Sequence, residues 1–200
     1  DVGGYNGGAV NMNMHTNTSY LTAASYITGN GEVNFDISNS AVWNMTGSSK
    51  ATDMNINNGI VDLRADKNRY STLTAANLTG SGGIFKMDID VRSMESDKLY
   101  ITDDFSGTQA IDIYQKDAYV PAGSSMEGTG LVLASVNGNG VFTAHDREGT
   151  LFYTHYDLAH QASATAGYAT DWYLDKIITL DKPTTSVETV TAAGALNYHT

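Results

Sequence analysis

Val33-Asn34-Phe35-Asp36-Ile37 and Thr52-Asp53-Met54-Asn55-Ile56 carry one alternation of apolar and polar residues, repeated nineteen positions apart. Phe35 and Ile37 set against Asn34 and Asp36 become Met54 and Ile56 set against Asp53 and Asn55, and Val42 and Val61 keep the same offset. Met12 and Met14, between Asn11, Asn13 and His15, form an earlier copy twenty-one to twenty-three residues upstream. Leu73 and Leu78 extend the series less regularly. A period near twenty residues, made of period-two strands and Gly or Asn turns, is what one coil of a β-helix requires. No single coil buries its own apolar side, so each depends on stacking upon the next. Like residues at like positions favour parallel register over hairpins, for which Asn58-Gly59 is the competing signal. Asn39, Asn57 and Asn58 suit the corners, because Asn tolerates left-handed backbone and bonds its own neighbours.

From Leu78 the pattern changes. Leu78-Thr79-Gly80-Ser81-Gly82-Gly83 is a Gly-rich turn, and Ile84 to Asp90 alternates cleanly as a strand. Further strands are predicted at Lys98 to Thr102, Gln109 to Tyr114, Gly130 to Val136, Val141 to Ala144, Leu151 to Tyr156 and Asp171 to Leu180, with a turn at Asn137-Gly138-Asn139-Gly140. Such spacing, with Gly-bearing turns between, fits an all-β region. After Asp181, Pro183 ends the last strand and Thr185-Ser186-Val187-Glu188 has the form of a capping box that opens a helix. The expected division is therefore coils over 1–77, a β-rich cap over 78–180 and the start of a linker helix over 181–200. The fold class is all-β: a right-handed parallel β-helix ending in a β-rich C-terminal cap.

Composition narrows the function classes. Twenty-two acidic against eleven basic residues give a net charge of -11, the wrong sign for a nucleic-acid or anionic-membrane surface, where binding rests on Lys and Arg. The absence of Cys removes disulfides, thiolate metal sites and cysteine nucleophiles together. With polarity carried by Asn, Ser, Thr and Gly, it also suits a bacterial exported chain. The N-terminal Asp1-Val2-Gly3-Gly4 has neither a basic region nor a hydrophobic stretch, so the chain reads as a segment of something longer.

Three segments resemble the C-terminal part of autotransporter passengers, the pertactin and AIDA-like proteins. Ser40-Ala41-Val42-Trp43-Asn44-Met45-Thr46-Gly47, followed by Asn57-Asn58-Gly59-Ile60-Val61, is similar to the last solenoid coils of that family. Leu73-Thr74 through Asn77 to Gly82 into Phe85, then Ser96-Asp97-Lys98-Leu99 and Phe105-Ser106-Gly107, resembles the junction called the autochaperone. Trp172-Tyr173-Leu174 resembles the closing strand. The similarity runs from about residue 30 to 180, with Leu151 to Thr170 expanded relative to the family pattern.

The resemblance implies a non-enzymatic stem, secreted across the outer membrane to the bacterial cell surface, whose C-terminal segment folds first and templates the coils behind it. Such a segment would support display of an adhesin or virulence factor. A one-dimensional stack can nucleate at one end and propagate, which supplies the physical rationale. The implied folding core is Trp43, Leu78, Gly80, Gly82, Phe85, Leu99, Phe105, Trp172, Tyr173 and Leu174. The implied partners are the protein's own membrane β-barrel, periplasmic chaperones and the outer-membrane assembly machinery during export, and a host-surface or self-association partner. No nucleic acid and no cofactor are expected. The rival classes are a β-helical carbohydrate-active enzyme fragment and a self-associating or host-binding adhesive module.

The residues that could carry chemistry are few. His155-Tyr156-Asp157 with His160 is the one arrangement suggesting a metal, and it reads better as surface histidines. Asp88 and Asp90 share a strand face, with Glu95 and Asp97 repeating the spacing, a pairing that suits glycosidase or polysaccharide-lyase acids. Ile84, Met87, Ile89 and Val91 assign the opposite face to the core, which leaves these Asp as solvated outward residues, and Asp97 reads as a turn organiser. Gly80 to Gly83 followed by Asp88 lacks the acidic spacing of a calcium repeat. Asn44-Met45-Thr46 and Asn77-Leu78-Thr79 match glycosylation acceptors by accident in a bacterial chain. No catalytic, cofactor or metal residue is assigned.

Overall fold

A computed structural model describes residues 1–65, 69–116, 121 and 123–182. Six coils follow one another along the chain. The first holds β1 (Val2–Tyr5), β2 (Ala9–Met14) and β3 (Tyr20–Thr22), and the second β4 (Ser25–Thr28), β5 (Glu32–Ser38) and β6 (Val42–Asn44). The third and fourth hold β7 (Ser49–Asn57) with β8 (Ile60–Asp62), and β9 (Thr72–Thr79) with β10 (Ser81–Asp90), followed by the short β11 (Glu95–Ser96). The fifth and sixth hold β12 (Lys98–Phe105) with β13 (Thr108–Gln115), and β14 (Ser124–Gly138) with β15 (Val141–His145). The chain then turns back through β16 (Arg147–Glu148), β17 (Phe152–Ala162) and β18 (Thr170–Asp181).

Each coil has three sides. β1 and β4 form the first, continued by the N-terminal halves of β7, β9 and β12 and by Ala134–Val136 of β14; β2 and β5, continued by the C-terminal halves of β7, β9 and β12 and by Gly138 at the end of β14, form the second. The third is the parallel ladder β3-β6-β8-β10-β13-β15. Parallel stacking puts like side chains above one another. Met12, Phe35, Met54, Leu78 and Phe105 make one inward column, and Leu21, Trp43, Val61, Phe85 and Ile111 another. All but Met12 and Leu21 are essentially without solvent contact. Fully burying such a side chain is worth roughly 1.5–3 kcal/mol, so each added coil stabilises its neighbour mainly through these columns.

The register explains why the repeat fades in sequence. Phe35 sits nineteen residues before its partner Met54, as the alternation predicts, but Leu78 follows Met54 by twenty-four and Phe105 follows Leu78 by twenty-seven. From the second coil on, the coils lengthen toward the C-terminus in both strands and connections, while the strand pairing stays parallel. Consequently the ladder crosses residues 77 and 78 without a break. Apart from the short β11, which turns back on β10, and a single bridge between β10 and β7, strand direction reverses after the sixth coil, where β18 pairs antiparallel with β14 and β17 with β18.

Several expectations are corrected. Val42 pairs with Ile60, and Val61 pairs with Trp43. The offset on this side is thus eighteen, and a slip of one residue moves a side chain to the other face. Val42 is accordingly half-exposed while Trp43 and Val61 are buried. Likewise Ile84 points outward with Lys86 and Asp88, and Phe85 takes the inward place with Met87 and Ile89. Asn58-Gly59 is a corner between two sides of one coil, and Asn39 and Asn58 adopt positive φ of 52° and 56°. The expanded stretch after Leu151 forms β17 and the turn to β18. The capping box at Thr185 to Glu188 lies outside the described residues.

Candidate functional site

The end of the stack is closed by aromatic rings drawn from non-adjacent strands. Phe142 on β15 stacks on Phe105 at 4.5 Å between ring centroids, and meets Trp172 edge-on at 5.7 Å and Phe85 edge-on at 6.4 Å. Offset and edge-on geometries of this kind add to the burial of each ring. Trp172, Leu174 and Ile177 alternate along β18 toward β14, where they pair with Ala134, Leu131 and Met126. Alternation sends Tyr173 the other way. It is half-buried between Val132 and Ala159, so of the expected aromatic core it is the member that lies off the inner face.

The remaining expected core residues fall in two places. Leu78, Phe85, Leu99 and Phe105 are buried in the fourth and fifth coils, next to Phe142 or in the columns leading to it. Trp43 lies three coils away on the third side. There it stacks on Phe35 at 4.0 Å and donates its indole N–H to the Ala23 carbonyl at 3.0 Å. Gly80 and Gly82 do not enter the core. Gly80 has φ +94°, and a Cβ there would stand 2.4 Å from the Ile56 carbonyl oxygen. Gly107, with φ +92°, occupies the equivalent corner of the next coil, and Gly138, with φ +96°, stands over Phe105 in the coil after that. Only glycine combines that backbone with so close an approach.

Buried polar groups fasten the coils together near this end. Asp97, just before β12, accepts the Ser71 N–H at 2.6 Å and the Asp88 N–H at 2.7 Å with its two carboxylate oxygens. Burial dominates its titration, and against those two hydrogen bonds it pushes the carboxyl up to about 6. Asp97 is thus a clamp between two coils, a larger role than organising its own turn. Its neighbours Ser96 and Lys98 donate to the Val132 carbonyl on β14, and burial lowers the Lys98 pKa. Asp171 accepts from the Ser135 and Ser163 hydroxyls, both at 2.6 Å, and from the Ala164 N–H at 3.0 Å. Burial opposes its ionisation, yet these hydrogen bonds hold its pKa below the usual range.

Gln109, also buried, accepts the Gly83 N–H at 2.8 Å and donates to the carbonyls of Ile56 and Thr79 at 3.2 and 3.3 Å. One amide thereby links three successive coils. Sequence reasoning missed Gln109 and Phe142. Both sit on predicted strands, and registering those strands on the Phe85 column would have turned them inward.

The carboxylates considered for catalysis do not converge. Asp88 is half-buried and lies 3.6 Å from the Lys116 ammonium, a correction to its reading as a solvated residue. Burial raises its pKa, with Lys116 and Arg64 pulling the other way. Asp90 accepts the Arg92 N–H at 2.8 Å and the Ser93 N–H at 3.3 Å in the turn after β10, which lowers its pKa. Glu95 is exposed and pairs antiparallel with Asp90 through the backbone.

His155 lies between Asp146, 2.6 Å from Nδ1, and Asp157, 3.0 Å from Nε2, and the bond to Asp146 raises its pKa. His160 packs instead on the Trp172 ring at 4.8 Å. Among the described residues no group of three His, Asp or Glu side chains is placed to hold a metal ion. On the second side, Asn and Asp side chains form outward ladders. Asn34 donates to Asn11 at 3.0 Å, Asn55 to Asp36 at 3.2 Å and Asn77 to Asp53 at 2.7 Å. These bonds run along the stack, and they use the Asn77 amide that the glycosylation motif would need.

Residues 51–176, more than half of the chain, match the pertactin family. The immunoglobulin A1 protease autotransporter of Haemophilus influenzae is 25% identical over 115 residues, which cover 53% of this chain and 7% of that protein. Another autotransporter of that name and species matches at the same identity over 6% of its length. The chain thus spans less than a tenth of the curated relatives it matches. Among solved structures, the Hap adhesin of Haemophilus influenzae superposes with a TM-score of 0.55 at 20% identity, over 84% of this chain and 18% of that one. At that identity the likeness concerns the fold, and it agrees with the stacked coils described above. On the family match and that fold together, the chain belongs to the pertactin family of autotransporter passengers.

Proposed function

We propose that this chain is the terminal stem and folding-nucleating cap of a secreted bacterial surface passenger. The observation that carries the reading is the reversal of strand direction after the sixth coil. There β17 and β18 lay Trp172, Leu174 and Ile177 over the open end of the core. A parallel stack left open exposes both a strand edge and an apolar cross-section, and a hairpin folded across the end covers both. The antiparallel β17–β18 hairpin is far more local than the parallel coil pairings, so it closes early at small entropic cost and offers a template for the long-range parallel coils.

In this reading the stem is non-enzymatic. Asp88 is committed to Lys116 and Asp90 to its turn, which argues against this pair as glycosidase acids. Its partners are the protein's own membrane β-barrel and, during export, periplasmic chaperones and the outer-membrane assembly machinery. The passenger it supports is displayed at the cell surface as an adhesin or virulence factor.

The test is deletion of residues 78–180 from the full-length protein, followed by surface immunodetection and limited proteolysis of the passenger. The proposal expects loss of protease resistance and reduced surface display. Normal secretion with unchanged resistance would sink it.

A further inference from the structure

Between the third side of the stack and the returning hairpin lies a cleft of about 350 Å³, lined by Tyr114, Gln115, Arg147, Phe152, Thr154 and Tyr156, with Glu148 and Gly149 at its edge. Its volume is at the small end for a ligand site, suited to one ring more than to a chain.

Three features of its lining are left incomplete by the fold. Arg147 lies with its guanidinium 3.8 Å from the Tyr114 ring centroid, opposite a second arginine, Arg64, at 3.5 Å. One Arg147 N–H donates to the Ile113 carbonyl at 3.2 Å. Arg64 has its own carboxylate, Asp62, at 2.7 Å, whereas Arg147 pairs with none among the described residues. Glu148, the only acid among the described lining residues, is engaged by Lys182 at 2.5 Å. A planar guanidinium with free N–H groups beside an aromatic ring is suited to a carboxylate.

The second feature is Gln115. Its Nε2 donates to the Tyr156 hydroxyl at 3.1 Å, but its Oε1 is buried with no hydrogen-bond partner among the described residues. Buried acceptors are nearly always satisfied, so this oxygen calls for a donor such as a hydroxyl. The third is Phe152, which is 40% exposed although it stands on the cleft side of β17. Its exposed ring surface offers the cleft an apolar wall.

We propose that this cleft binds a carboxylated sugar ring, such as a uronic acid residue of a glycan. The carboxylate meets Arg147, a ring hydroxyl donates to Gln115 Oε1, and the apolar face of the ring lies on Phe152. A sugar acid supplies all three chemistries within one small ring; a simple anion would satisfy only Arg147.

The experiment is saturation-transfer NMR on the 200-residue chain with D-glucuronate, with D-glucose and acetate as controls. Arg147→Gln and Phe152→Ala are measured alongside, and thermal melting checks that each variant folds. Transfer to glucuronate and not to either control is expected, with affinity weakened about tenfold in each variant, as for loss of a charge-assisted hydrogen bond or a ring contact. Phe152 is exposed, so its replacement keeps the test decisive where Arg147→Gln fails to fold. No transfer to glucuronate on a cooperatively melting chain overturns the site. Equal transfer to acetate or glucose overturns the sugar-acid assignment, and an undiminished signal in Phe152→Ala overturns the placement.

Discussion

Replacing Phe142 with Ala tests the closing cluster at its centre. The ring is 2% exposed and touches Phe105, Trp172 and Phe85, which come from β12, β18 and β10. Phe→Ala in a packed core costs roughly 3–5 kcal/mol, through lost transfer energy and the cavity left behind. Three ring partners place this site no lower than the middle of that range, at about 4 kcal/mol, a large share of the roughly 5–15 kcal/mol that holds a typical domain folded. Urea unfolding measures the loss as a fall in midpoint at constant slope. Amide exchange locates it: peptides from β17 and β18 should lose protection well before those from β5 and β7, because the hairpin is held to the stack through this cluster. A Phe105→Leu and Phe142→Leu double-mutant cycle should return a coupling of about 1 kcal/mol. A loss under about 2 kcal/mol would refute the reasoning. So would equal deprotection of hairpin and first coils, since the cluster would then not be a separate closure.

Two further perturbations follow from the clamps and corners. Asp97 has its folded pKa raised to about 6 from an ordinary value of 3.8, so the folded state binds the extra proton. Its contribution is therefore fully present below about pH 4 and is lost as pH rises through 6, amounting to about 3 kcal/mol. The stability of the unaltered chain minus that of Asp97→Asn, from urea titrations at pH 4, 5 and 7, should fall by about that amount; a flat difference would show that Asp97 does not titrate in this window. Gly80→Ala forces both a positive φ and a 2.4 Å contact with the Ile56 carbonyl, whereas Gly167→Ala meets nothing within 4 Å at a similar φ. Thermal melts should show Gly80→Ala losing more than about 2 kcal/mol and Gly167→Ala about 1 kcal/mol; equal losses would mean that the corner approach is relaxed at no cost.

The alternation at Phe35 and Ile37, answered at Met54 and Ile56, determines a parallel stack before any coordinate is known, because period-two faces and a period near twenty residues leave few other ways to bury those side chains. The positive-φ corners at Asn39 and Asn58 are legible for a similarly local reason, the tolerance of Asn for left-handed backbone. The candidate site was legible only in part. Phe85, Phe105 and Trp172 stand out as aromatics on alternating strands, but their common partner Phe142 and the carboxylate clamp of Asp97 depend on which residues stack. Register was hidden wherever the spacing between paired residues changed, since each residue gained or lost shifts the apparent period without changing the strand pairing. The eighteen-residue offset on the third side is the plainest case, and it alone reversed the facing of Val42. The sequence by itself determined that coils would stack and what would line them. Only the tertiary structure decided where the stack turns back on itself and that a sugar-sized cleft opens beside Arg147, because both depend on contacts between segments thirty or more residues apart, which no local pattern encodes.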